Sequence, residues 1–339
     1  MSRAPAAERL PEFPASWYWF GAAPALRLGP LSRDLLGRRL VAYRTALGRV
    51  AVLDARCSHL GADLGEGCVV GEDLQCAFHN WCYAPDGRCT MAPAAAEPPS
   101  FARQQSYPAV ERHGHLFFFN GPQPLFPLPF FDGADPHQYV AGRPLHFYAE
   151  CPWYLVNGNS FDVQHFRAGH GRELLGEPVV DCPHPFARRI RVTFQVAGDS
   201  IFDRLLRRFV GERVDVSMTN WGGTMVVVTG EFRRTKSTLI TYIEPLTVQT
   251  CRQNVLVYSR QSRFGTPVDT ARLFLRRLFT HGFMAEEFET LAGIRYVPDS
   301  FLACDQMMVD FFLWVAGLPQ EAPTDIVDPV PRCFESVSR

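Results

Sequence analysis

The sequence predicts an α+β chain of two domains: an all-β N-terminal domain, then an antiparallel sheet with helices at its ends and over one face. Three observations predict it. At 339 residues the chain is longer than one typical domain. Across about residues 30–120, short apolar runs such as Leu40-Val41-Ala42-Tyr43, Val50-Ala51-Val52-Leu53 and Leu116-Phe117-Phe118-Phe119 are broken by turn signals at Leu47-Gly48 and Asp86-Gly87. Beyond residue 150, long β-branched and alternating runs are flanked by helical ones.

Taken in order, residues 1–13 are Pro/Ala-rich and read as a flexible tail, and 14–120 as the all-β domain. Residues 121–144 read as a linker, opening with Gly121-Pro122-Gln123-Pro124 and continuing through Pro127-Leu128-Pro129. The second domain spans 145–320: a helix over 153–170, strands over 188–196, 213–219, 224–233, 238–244 and 250–259, and helices over 269–291 and 300–316. Residues 321–339 read as a C-terminal tail.

Composition excludes several classes. With 47% hydrophobic and 20% charged residues, the chain is not disordered as a whole. A net charge of −1 argues against nucleic acid as the main partner. No apolar run approaches bilayer-spanning length, and the opening residues lack the apolar core of a signal peptide, so a cytoplasmic location is expected. The ten cysteines are spread along a long chain and read as thiols, some of them metal ligands.

The strongest motif is Cys57-Ser58-His59, followed after sixteen residues by Cys76-Ala77-Phe78-His79. Each pair puts a thiolate and an imidazole in one short loop, and two such loops can grip one cluster from both sides. A structural zinc site uses the same ligand set, but zinc fingers usually group the two Cys together and the two His together. Two matched Cys/His pairs fit a [2Fe–2S] centre in which two histidines replace two cysteines on one iron.

A second motif is Asn159-Ser160-Phe161-Asp162-Val163-Gln164-His165-Phe166-Arg167-Ala168-Gly169-His170. Two imidazoles and one carboxylate on one face of Fe(II) leave positions open for O2. His165 and His170 are five apart, about 140° around a regular helix, so they converge only if the helix ends or distorts. Gly169 offers such a break. The carboxylate is expected far along the chain. Asp305, inside the apolar Phe301–Val309 segment, is the first candidate, because an acid buried there unpaired is costly and metal ligation would offset that cost. Asp310 is the runner-up and Asp299 a weaker third, readable as a turn or helix cap. Asn159 is expected either to support the ligands from behind or to pack the helix.

Together the two motifs resemble the Rieske non-haem iron oxygenases, in their single-chain monooxygenase branch. The resemblance implies a Rieske domain followed by a helix-grip catalytic domain, with Cys57, His59, Cys76 and His79 on the cluster, His165, His170 and Asp305 on a mononuclear Fe(II), and Asp162 bridging that site to a cluster histidine of a neighbouring subunit. It implies a homotrimer fed by a separate ferredoxin and flavin reductase. The chain has no Rossmann glycine fingerprint for a nicotinamide of its own. Respiratory Rieske proteins carry a disulfide-forming cysteine in each loop where this chain has Ala62 and Phe78; the oxygenase pattern implies a potential of about −150 mV. Ala77 and Asn80 depart from the family's usual Pro and Gly.

The segment Leu53–Gly67 is similar to steroid- and sterol-acting members, and also to an aryl-amine oxygenase. The expected substrate is therefore an apolar polycyclic molecule, a sterol or steroid first, with an aryl amine or small aromatic ether or amine as the alternative. A non-catalytic electron carrier is the reading from another class. The arginines at 204, 207 and 208 and at 272, 276 and 277 could dock an acidic ferredoxin, lie in water on amphipathic helices, or touch a membrane surface.

Overall fold

A computed structural model of the chain describes residues 3–197, 204, 207–208, 211–233 and 235–320. It separates into two compact units. The smaller is Ala15–Leu125; the larger is residues 126–320 together with the N-terminal segment up to Pro14.

The strands of the smaller unit are β1 (Trp17–Ala22), β2 (Leu31–Leu35), β3 (Arg38–Arg44), β4 (Val50–Asp54), β5 (Cys68–Val70), β6 (Asp73–Gln75), β7 (Cys82–Tyr83), β8 (Cys89–Met91), β9 (Ser106–Tyr107), β10 (Ala109–Arg112) and β11 (His115–Phe119). Among the described residues they form three antiparallel sheets, ordered β1-β11-β10, β2-β3-β4-β9 and β5-β6-β7-β8. Val41, Tyr43, Leu53, Leu64, Leu74 and Tyr83 are fully buried between the second and third sheets, and Cys57 and Cys76 join the same core. Consecutive hairpins in the third sheet put the loops before β5 and after β6 at one end of this core.

The larger unit contains β12 (Tyr139–Ala141), β13 (Leu145–Ala149), β14 (Arg172–Leu174), β15 (Val179–Asp181), β16 (Ala187–Val196), β17 (Arg213–Trp221), β18 (Met225–Phe232), β19 (Lys236–Thr247) and β20 (Thr250–Arg260), with α1 (Trp153–Gly158), α2 (Val163–His170), α3 (Thr266–Thr290) and α4 (Gln306–Ala316). The nine strands make one antiparallel sheet running β12-β20-β19-β18-β17-β16-β14, with β13 on β20 and β15 on β16. Period-two alternation turns Ile190, Val192, Phe194 and Val196 of β16 inward, while Arg191 and Gln195 face out. In register, Phe194, Val214 and Phe232 form one row across the inner face, and Met218, Val228 and Leu239 another.

Three expected boundaries move. The N-terminal segment is no loose tail: Leu10 is buried, the Pro11 carbonyl accepts from Trp153 Nε1 at 3.2 Å, and Arg3 pairs with Asp299. Nor is 121–144 a free linker. The larger unit begins at Phe126, and Tyr139–Ala141 is a sheet strand on β20. The expected helix over 153–170 is two helices, because Asp162 leaves helical geometry (φ −88°, ψ 96°) and caps the second. The expected C-terminal tail at 321–339 and most of the segment around Arg204, Arg207 and Arg208 lie outside the described residues. Among the described residues no helix is long and apolar enough to cross a membrane.

Candidate metal centres

The first centre is built from two copies of one turn. In Cys57–Ala62 the Cys57 N–H donates to the Ala62 carbonyl and the Gly61 N–H returns to the Cys57 carbonyl, at 2.9 and 2.8 Å. In Cys76–Trp81 the Cys76 N–H donates to the Trp81 carbonyl and the Asn80 N–H returns to the Cys76 carbonyl, at 2.8 and 3.0 Å. Each turn needs a left-handed residue in its fifth position, Gly61 at φ 76° and Asn80 at φ 58°. Asparagine tolerates that conformation better than most side chains, which is why Asn80 can stand where glycine is usual. Asp63 anchors the first turn: its carboxylate accepts from Ser32 Oγ, Gly65 N and Arg39 Nε. Burial pushes its pKa up, but these donors more than offset that and hold it below the usual carboxylate range.

The turns bring the four predicted side chains to one place with the thiols inside and the imidazoles outside. Cys57 and Cys76 are buried, whereas His59 and His79 are exposed with ring centroids 4.7 Å apart. Trp81 stacks on His59 at 4.5 Å and 2°, fixing the ring plane. Tyr83 Oη lies 3.0 Å from both Cys57 Sγ and Ser58 Oγ. Burial raises the Cys57 thiol pKa, and the Cys76 sulfur beside it adds to the rise. Two buried sulfurs side by side beneath two facing imidazoles suit a group that takes thiolates at one end and neutral nitrogens at the other.

The second centre is a triangle of donor atoms. His165 Nε2 and His170 Nε2 are 3.1 Å apart, and Glu287 Oε2 lies 2.9 Å from the first and 2.5 Å from the second. Donors at right angles around a metal, each about 2.1 Å from it, are about 3 Å apart, so the triangle matches one face of an octahedral site. Among the described residues this is the group of metal-type side chains drawn together this closely. Asn159 Nδ2 donates to the other carboxylate oxygen, Glu287 Oε1, at 2.5 Å, and Phe283 stacks on the His170 ring at 4.6 Å. Burial alone would raise the Glu287 pKa, but hydrogen bonds from His165 and His170 bring it down to about 2, so it stands ionised at neutral pH. Burial works against the charged form of His165, yet Glu287, with Asp162 behind, holds its pKa above the ordinary value.

The histidines converge without the expected helix break at Gly169. Helix α2 runs through His170 and ends on Gly171 in the left-handed region, φ 57°. Gly169 contributes by having no side chain. A Cβ there would lie 2.8 Å from His165 Cε1, so the His165 imidazole folds over the glycine to reach its partner.

The third carboxylate is the main correction. Asp305 is not at the triangle. Its Oδ1 accepts from Gln164 Nε2 and its Oδ2 from the Leu302 N–H, both at 2.8 Å, so the short turn it closes satisfies both oxygens without a metal. Asp310 is exposed and accepts from Gln306, and Asp299 pairs with Arg3. Asp162 caps α2, its Oδ1 accepting from the Gln164 and His165 N–H groups at 3.0 and 3.2 Å. Glu287 was missed because Glu286-Glu287-Phe288-Glu289 reads as a solvated helix face. The available signal was its place in the buried stripe Thr280, Met284, Phe288 and Leu291, while Glu286 and Glu289 point to water.

An apolar cavity of about 300 Å³ opens beside the triangle. His170 and Phe283 are part of its wall, and the inner rows of β16–β19 form its floor.

Comparison with known proteins bears on the first centre and on the fold. Residues 16–108 match the Rieske [2Fe–2S] domain. This segment is a Rieske domain. Its Cys57/His59 and Cys76/His79 turns lie inside the matched residues. The chain is 37% identical over 166 residues to aminopyrrolnitrin oxygenase PrnD of Pseudomonas fluorescens, covering 46% of each chain. It is 34% identical over 175 residues to a 3-ketosteroid-9-alpha-monooxygenase oxygenase component of Rhodococcus rhodochrous, covering 51% of this chain and 42% of that one. These matches span less than half the length of either relative. Dicamba monooxygenase bound to dicamba superposes over 89% of this chain and 96% of its own, at 20% identity and a TM-score of 0.66. The chain therefore has the fold of that protein, with a Rieske domain preceding the antiparallel sheet and its helices. Of the thiols outside the matched pairs, Cys82 and Cys89 are buried in the Rieske domain, whereas Cys68 is exposed and does not pack there.

Proposed function

We propose that the chain is a terminal oxygenase component that oxidises an apolar polycyclic molecule, a steroid or sterol in the first instance. One observation carries the reading. The Nε2–Nε2–Oε2 triangle of His165, His170 and Glu287 opens onto an apolar cavity in a chain that also carries a Rieske domain. Cys57, His59, Cys76 and His79 would hold the [2Fe–2S] cluster. His165, His170 and Glu287 would hold Fe(II), which would supply the capacity to bind and reduce O2.

The chain's own groups do the rest. Glu287 contributes the negative charge, and Asn159 fixes that carboxylate through its second oxygen. Phe166, Phe194 and Phe283 keep the cavity beside His170 apolar, which excludes water and favours a hydrocarbon framework. Asp162, three residues before His165 and close enough to raise its pKa, is the residue we assign to the bridge toward a cluster histidine of a neighbouring subunit in a homotrimer. A separate ferredoxin and flavin reductase would deliver the electrons, in the cytoplasm. The steroid assignment draws on the 3-ketosteroid relative, and the aryl-amine alternative on PrnD.

The test is a single turnover. The iron-loaded protein is reduced without air and mixed with O2 and a pool of ketosteroids and sterols, with a parallel pool of aryl amines. Mass spectrometry should find an oxygenated, demethylated or desaturated steroid that disappears with His170→Ala. Products from the amine pool alone would move the assignment to N-oxygenation. Electron release without product from either pool would leave an electron carrier.

A further inference from the structure

The cavity beside His170 is apolar in most of its wall but not in its charge. Its lining includes Arg172, Lys236 and Arg276 and, among the described residues, no aspartate or glutamate. Two of these cations are already engaged. Lys236 pairs with Glu231 at 2.7 Å, and Arg172 interacts within the protein. Arg276 differs. Its Nη1 and Nη2 reach the Tyr258 carbonyl and Thr235 Oγ1 only at 3.5 Å, and among the described residues no carboxylate pairs with it. Burial and the neighbouring Arg272 depress its pKa, as expected of a cation short of compensating charge. A guanidinium half-buried in such a wall is costly until an anion meets it, and a carboxylate meets it through two parallel hydrogen bonds.

Its place on α3 gives it a distance from the triangle. Arg276, Thr280, Phe283 and Glu287 follow one another at spacings of four, three and four residues, so they form one stripe of the helix. Arg276 and Glu287 are eleven residues apart, about 16 Å along the axis at 1.5 Å per residue. A rigid ring system lying along this stripe would have one end at the triangle and the other at the guanidinium.

We propose that Arg276 is a substrate-anchoring residue, and that the cavity takes an apolar organic acid whose carboxylate pairs with Arg276 while its opposite end lies beside His165, His170 and Glu287. This rests on the triangle being the reacting centre, as proposed above. The acid matters because a ketone or hydroxyl would leave the charge of Arg276 uncompensated. Thr235, Ser237 and Thr280 line the same cavity and offer hydroxyls to the carboxylate.

Binding, not turnover, tests it. Equilibrium dialysis with the iron-loaded full chain under nitrogen would use naphthoic, pyrenebutyric and cholanic acids, each beside its methyl ester. At least one acid should bind tenfold or more tightly than its ester. Arg276→Gln should bring that acid down to the level of its ester, and Arg276→Lys should restore part of the difference. Equal binding of acid and ester, no binding by any of the three acids, or an acid preference that survives Arg276→Gln would overturn the proposal. The ratio in the unaltered protein carries the test even if a variant does not fold. Arg276-dependent acid binding with no product from O2 would sink the oxygenase reading and leave Arg276 as the anchor of a bound acid without a reacting centre. Products from neutral steroids with no acid preference would do the reverse.

Discussion

In the Rieske domain, four ligand-type side chains arrive on two copies of one hydrogen-bonded turn, joined by a hairpin and closed within 23 residues from Cys57 to His79. In the larger unit, three side chains arrive on two helices, and Glu287 meets His170 across 117 residues of sequence. The first centre is shaped by backbone: it needs a left-handed residue at Gly61 and Asn80 and a buried sulfur before each. The second is shaped by side-chain packing: it needs space over Gly169, a carboxylate in a buried helix stripe, and Asn159 to hold that carboxylate. A backbone-built site should tolerate change at its non-ligand side chains. A packing-built site should be sensitive well beyond its ligands.

The largest effect should come from exchanging the two acids that compete for the third position. Glu287→Gln keeps the shape and removes the charge. It should lower iron from about three to about two per chain and abolish product formation, with the Rieske electron paramagnetic resonance signal unchanged. Asp305→Asn should keep the third iron. Iron analysis beside the resonance spectrum checks both, and loss of the third iron in Asp305→Asn alone would reassign the site.

The same contrast explains how much could be read from the sequence. The Cys/His pairs are legible because a local turn leaves a local pattern, and the alternating runs of β16 to β20 announce the sheet for the same reason. His165 and His170 also lie in one short segment. Glu287 has no local signature, since whether a helical glutamate faces water or a metal is decided by the helix that packs against it. Asp305 draws the eye because it interrupts an apolar run, but a turn N–H and Gln164 satisfy it at short range. Residues 3–14 look loose for a related reason: their packing depends on Trp153 and Tyr296, which donate to the Pro11 and Pro5 carbonyls from far along the chain.

An intermediate effect should follow from adding one methyl group. Gly169→Ala places a carbon where the His165 ring lies, and the ring must shift because the new Cβ is held in place by its bond to the helix backbone. Overpacking of this kind costs about 1–3 kcal/mol. That cost should appear as roughly 5- to 150-fold weaker iron binding at the triangle, or as an equivalent loss of stability in the metal-loaded chain. The matching change in the Rieske domain, Asn80→Gly, adds no atom and suits the left-handed turn, so it should leave cluster content intact. If Gly169→Ala binds iron normally, the larger site is less dependent on packing than its geometry indicates.

The smallest effect tests whether the Rieske domain is tuned as well as built by its surroundings. Tyr83 is buried, and its Oη lies 3.0 Å from Cys57 Sγ. Burial raises its pKa well above that of a free phenol, so it remains a neutral donor across the physiological range. A hydrogen bond to a ligating sulfur stabilises the reduced cluster more than the oxidised one, because reduction places more negative charge on sulfur. A net hydrogen bond is worth about 0.5–1.5 kcal/mol, which for one electron corresponds to about 20–60 mV. Tyr83→Phe should therefore lower the midpoint potential by that amount with no loss of iron, measured by spectroelectrochemistry. Ser58→Ala removes the second partner of the phenol and leaves Tyr83 free to donate to sulfur alone, so it should raise the potential or leave it unchanged. A fall in both variants would mean that the phenol is held by Ser58 and acts on the sulfur only when so held.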